Sequence, residues 1–117
     1  MDRQGLIDHA LARFGAEPEY LWRKYPGYFV LRRPDSGKWF ALVMDVPRDR
    51  LGLAGGGSAD VADVKCGPAL LGSCLGREGF LPAYHMSKTN WVSIRLDGAA
   101  PDDDVAALLD ISYDLAK

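Results

Sequence analysis

From Lys38 to Val46 the chain reads KWFALVMDV, apolar on both faces through most of its length. A strand of that kind has no face to give to water, so it belongs in the middle of a sheet, covered on both sides. Pro47 ends it. Its partner is Tyr28–Arg32, and Pro34-Asp35-Ser36-Gly37 between the two is turn chemistry, with Pro presetting φ and Gly supplying a positive one. The pair reads as an antiparallel hairpin. A second well-defined strand is Trp91–Leu96, where Val92, Ile94 and Leu96 point one way and Trp91, Ser93 and Arg95 the other. That alternation predicts a buried face and a polar one.

Around these strands the pattern changes period. Leu6, Ile7, Ala10, Leu11 and Phe14 share one face of a helix over residues 3–14, with Asp2 as N-cap and Gly15 as stop. A short strand is expected at Tyr20–Trp22 and another at Asp60–Lys65, after the flexible Gly55-Gly56-Gly57-Ser58 loop. Pro68 opens a short helix through ALLGSCLG. A last helix starts at Pro101, with Asp102, Asp103 and Asp104 in the turn where the macrodipole favours negative charge. Val105, Leu108, Leu109 and Ala116 form its apolar stripe. Helices at both ends and hairpins between them predict an α+β chain, a mainly antiparallel sheet with helices packed on one face. At 117 residues this is one domain, 1–117, with one core.

The net charge of −2 argues against a generally nucleic-acid-binding surface, but the charges are unevenly placed. Trp22 to Trp39 holds five basic residues, Arg23, Lys24, Arg32, Arg33 and Lys38, against one acid, Asp35. Pro101 to Lys117 holds five aspartates and one lysine. Two regions of opposite sign can sustain a local field. No apolar run reaches the roughly 18 residues of a membrane span and the N-terminus has no export pattern, so a cytoplasmic protein with no membrane partner is expected. Cys66 and Cys74 match neither a redox CxxC nor a zinc pair, and they read as reduced, partly buried thiols.

Several blocks resemble one family. YFVLRRPDSGKWFALVMDVPR, VKCGPALLGS, GFLPAYHMSKTNWVSI and DISYDL are similar, in order, to segments of the small bacterial MmcQ/YjbR proteins. Asn90 departs from the histidine expected before the tryptophan, so a role needing an imidazole there is not carried over. The resemblance implies a frataxin-like (CyaY-like) two-layer sandwich. It also brings the family's proposed "double wing" DNA-binding surface, and it implies no cofactor and no catalytic residue.

The residues allow three classes of function. The first is DNA contact, with Arg23, Lys24, Arg32, Arg33, Lys38 and Lys88 on phosphates, and with Asn90 and Trp91 in the polar run His85–Asn90 and just after it. The hairpin and this turn would be the two wings. The second is a non-catalytic module for a protein, including an acidic partner, or for a small ligand, using Tyr84, Met86 and Trp91. The third, an enzyme, is not expected: no GxSxG, HExxH, phosphate loop or dinucleotide fingerprint occurs. His9 and His85 have no metal-ligand spacing with each other or with the cysteines, and the oligomeric expectation is a monomer.

Overall fold

The computed structural model describes residues 1–117. Helix α1 (Arg3–Phe14) is capped by the Asp2 carboxylate, which accepts from the Gly5 N–H at 2.8 Å. It stops at Gly15, whose φ of 64° lets its N–H turn back to the Leu11 carbonyl. Strands β1 (Phe29–Arg32), β2 (Trp39–Pro47) and β3 (Ser58–Lys65) follow, with a single 3-10 turn at Arg48–Leu51 between β2 and β3. Helix α2 (Gly67–Cys74), strands β4 (Phe80–Pro82) and β5 (Trp91–Arg95), and helix α3 (Asp102–Leu115) complete the chain. All neighbours in the sheet are antiparallel, in the order β1-β2-β3-β5-β4, so β2 is interior as its two-sided apolar pattern requires.

Two expectations change. The Tyr20–Trp22 strand does not form; only Glu19 bridges to Val30, because Trp22 is instead drawn against Tyr28 and Trp39. Phe80–Pro82 is a strand that the sequence hid, since three residues are too few to show a period.

Register assigns the faces. Phe29, Val43, Ala62, Ile94 and Phe80 form one row across the sheet, and Leu31, Ala41, Val64 and Val92 the next but one. Both rows join Leu6, Ala10, Leu71, Cys74, Val105, Leu108 and Leu109 in a core of 22 buried residues beneath all three helices. The intervening rows face the other way and form a second cluster of Tyr28, Val30, Leu42, Met44, Val46 and Val61. No helix covers that side. The polar face expected for Trp91, Ser93 and Arg95 is therefore largely dry: Trp91 and Ser93 are buried.

The hairpin turn is tied down on the helix side. Phe14 stacks on Tyr113 at 4.3 Å and meets Phe40 edge-on at 5.3 Å. The Arg33 guanidinium lies 4.1 Å from the Tyr113 ring centroid and donates to the Tyr113 carbonyl. Ser36 donates to the Ala116 carbonyl. Deeper in, the buried Ser112 hydroxyl donates to the Phe40 carbonyl at 2.6 Å and accepts from the Lys65 N–H at 2.8 Å, joining α3 to β2 and β3.

Ser112→Ala strands both backbone groups without water. The expected cost is about 1–3 kcal/mol, seen as a lower urea midpoint with an unchanged m-value.

Candidate functional site

The sheet face without helices is roofed by two loops. Residues 20–28 pack from the β1 side, with Trp22 5.8 Å from Trp39 and 5.9 Å from Tyr28, ring centroid to centroid, and Tyr25 stacked on Tyr28 at 4.7 Å. The β4–β5 connection comes from the opposite edge and brings His85 and Met86 over Leu42 and Met44. It reaches that far because His85 adopts a left-handed φ of 65°, the one non-glycine residue to do so, and its ring packs on Tyr84 at 4.1 Å. Between the loops lies a half-open cleft of about 230 Å3, floored by Leu42 and Met44 and walled by Trp22, Tyr25, Tyr28, Trp39, His85 and Met86. Five aromatic side chains and two thioethers around one hollow suit a flat apolar ligand.

The electrostatics of this face come from few groups. Burial raises the Tyr28 hydroxyl above its ordinary pKa, with Tyr84, Asp45 and Tyr25 adding to the shift and Arg50 opposing it. Contact with the Tyr84 hydroxyl raises the Arg50 pKa in turn. Arg50 and Tyr84 both line the hollow that adjoins the cleft. Below the roof, one row of the sheet runs Val30, Leu42, Asp63, Ser93, Leu81. Asp63 and Ser93 are fully buried there. Ser93 donates to Asp63 Oδ1 and accepts from the Tyr84 N–H at 3.0 Å, anchoring the start of the roof loop. Asp63 Oδ2 has no partner. Desolvation pushes the Asp63 carboxyl up to about 7, against the hydrogen bond from Ser93 and the charge of Lys88.

The predicted contact residues do not gather on one surface. Arg32 pairs with Glu19 at 3.1 Å and donates to the Gly37 carbonyl. Arg33 pairs with Asp35 at 2.7 Å, holding that carboxyl at about 2. Lys38 donates to the Lys117 carbonyl, on the helix side. The hairpin is thus docked on α3 and does not project as a wing. Lys88 is exposed and donates to the Ala83 carbonyl at 2.9 Å. Asn90 works through its backbone, its carbonyl accepting from the Cys66 and Gly67 N–H groups. Trp91 is 7% exposed and offers no ring face to a partner. Arg23 and Lys24 are exposed and form no ion pair.

Sequence reasoning took residues 22–39 for their cations, with the aromatics Trp22, Tyr25, Tyr28 and Trp39 only interleaved among them, and it assigned no role to Leu42, Met44, Asp63 and Arg50. The signal was the second apolar face of β2, already visible in the sequence, whose cover only the assembled loops identify. Cys66 and Cys74 are free and buried, and burial raises both thiols. No three His, Cys, Asp or Glu side chains converge, and no helix is long and apolar enough to cross a membrane.

The YjbR family model matches residues 11–115. The uncharacterized protein YyaQ of Bacillus subtilis (strain 168) is 36% identical over 117 residues, covering 100% of this chain and 99% of YyaQ. The chain belongs to the YjbR family. A crystal structure of a Pseudomonas syringae protein, 38% identical, superposes on this YjbR chain with a TM-score of 0.97 and full coverage of both chains. Its solution structure gives a TM-score of 0.88, covering 100% of this chain and 94% of the other. Deinococcus radiodurans protein DR2400, 18% identical, matches at a TM-score of 0.68 over 97% of this chain and 77% of its own, a likeness of fold alone.

The buried Asp63 gives the YjbR chain a signature in its stability. Its folded pKa of about 7 lies above the unfolded value of about 3.9, so the folded state holds a proton that the unfolded state loses first. The contribution is full below pH 4 and is lost as pH rises to 7, with no further change above. Relative to Asp63→Asn, the wild-type unfolding free energy should fall by up to about 4 kcal/mol across that window. Urea titrations of both proteins at several pH values measure it, and parallel curves would refute the assignment.

Proposed function

We propose that this YjbR-family protein is a non-catalytic binding module that takes a small planar apolar ligand in the cleft between the two roof loops. The observation that carries the reading is the convergence of Trp22, Tyr25, Tyr28 and Trp39 with Met44 and Met86 around a hollow left open to solvent. At about 230 Å3 the hollow falls below the range of drug-sized sites and suits one or two fused rings.

Indole is a suitable neutral probe. At a ligand efficiency of about 0.5 kcal/mol per heavy atom it should bind with a Kd of about 0.5 mM. Of the three tryptophan side-chain N–H resonances, those of Trp22 and Trp39 should shift on titration while that of Trp91, outside the cleft, stays in place. Tyr25→Ala, at an exposed ring, should weaken binding by about 1 kcal/mol, roughly five-fold. An unchanged spectrum at saturating indole would remove the reading.

A second reading, DNA contact, rests on the exposed and unpaired Arg23 and Lys24, with Lys88 as a third cation. Two or three phosphate contacts imply weak association with a log–log salt slope of about −2 to −3. Arg23→Gln with Lys24→Gln should flatten that slope by about 2. Constant fluorescence anisotropy of labelled duplex at low salt would exclude it.

A further inference from the structure

Beside the aromatic cleft, across Tyr84, lies a second hollow of about 340 Å3. Leu51, Leu81, Ala83 and Tyr84 line it, with Arg50 and Lys88 as its charged groups and no acidic side chain. Arg50 forms no ion pair, although Asp49 adjoins it in the 3-10 turn. Lys88 gives one hydrogen bond to the Ala83 carbonyl, which leaves two of its three ammonium donors free. The carboxylate nearest to it in the sheet, Asp63, is buried beneath the roof and bonded to Ser93. The aspartates of α3 lie on the helix side of the sheet, and no carboxylate lines this hollow.

The two hollows share a wall. Tyr84 lines the second and the next two residues, His85 and Met86, line the first. Leu42 on the floor of the first and Leu81 in the second stand in one row, three strand spacings or about 14 Å apart. Arg50 and Tyr84 line the second hollow together, so a cation stands at the wall that the two hollows share.

We propose that the two hollows form one bipartite site, whose ligand is a small aromatic anion with its ring among Trp22, Tyr25 and Met86 and its carboxylate or phosphate, carried on a short spacer, held by Arg50 and Lys88. This rests on the aromatic cleft being a binding site and adds the charge and length of the ligand. An apolar hollow alone selects any flat molecule. Two cations without a carboxylate partner at one end discriminate by charge, because a neutral end group gives their spare donors no anion to meet.

The test uses a matched pair, 4-(indol-3-yl)butanoate and its carboxamide, titrated into the full chain at low salt with the Trp22 and Trp39 N–H resonances as readout. The carboxylate should bind about tenfold more tightly than the carboxamide. That advantage should shrink with added salt. It should fall to about threefold or less in Arg50→Gln and in Lys88→Gln. Arg50 is exposed, so its variant keeps the fold, which the remaining spectrum verifies. A third compound, 2-(indol-3-yl)ethyl phosphate, separates the sources: tighter binding than the carboxylate assigns a phosphate ester, weaker binding a carboxylic acid. Equal affinities for carboxylate and carboxamide, or a tenfold preference untouched by Arg50→Gln and Lys88→Gln, overturn this inference and leave the cleft reading intact. No binding of indole or either butanoyl compound overturns both.

Discussion

Both faces of this sheet are apolar, and only one of them has helices. That imbalance shapes the rest of the molecule. Val30, Leu42, Met44, Val46 and Val61 would otherwise stand in water on a single contiguous surface. Apolar surface left wet costs about 25 cal/mol per Å2, so some part of the chain must cover it. The cover comes from the 20–28 loop, the 3-10 turn and the β4–β5 connection, which meet from opposite edges without closing. Irregular chain packs less completely than a helix, because its backbone polar groups also need partners. The gap that remains is the aromatic cleft.

The same constraint explains the buried polar pair. Asp63 and Ser93 stand in the middle of the uncovered face, where neither would survive without a bonded partner. They bind each other, and Ser93 also takes the Tyr84 N–H, so the polar pair fixes the roof loop in position. Lys88 and the Ala83 carbonyl then close the loop on itself. The roof is held at its root by buried hydrogen bonds, and His85 and Met86 lie just beyond them. Those two residues form one wall of the cleft.

Charge follows the layers. The acidic helix α3 lies behind the sheet and binds the basic hairpin through Arg33, Ser36 and Lys38, so cations that look free in the sequence are spent on holding the turn. Cations before β1, in the 3-10 turn and in the β4–β5 connection stay unpaired on the open side. A protein of net charge −2 thus keeps Arg50 and Lys88 without a carboxylate partner in the hollow beside the aromatic one.

Local patterns in the sequence were enough for most of the elements. The caps Asp2 and Gly15, the turn Pro34–Gly37, the period of residues 3–14 apart from the exposed Leu11, and the two-sided apolar β2 are statements about neighbours within a few residues, and each recurs in the structure. The eight proposed contact residues were chosen by proximity along the chain, and proximity along the chain does not decide which face or which partner a side chain takes. A slip of one residue reverses a strand's faces, so Arg32 and Arg33 part company. Trp91 shares a strand face with the buried Ser93 and is itself buried. Only the assembled sheet brings residues 22–28, 39–44 and 84–86 around one hollow, because the meeting depends on strand order and on the reach of two loops, neither of which is written in any local run of residues.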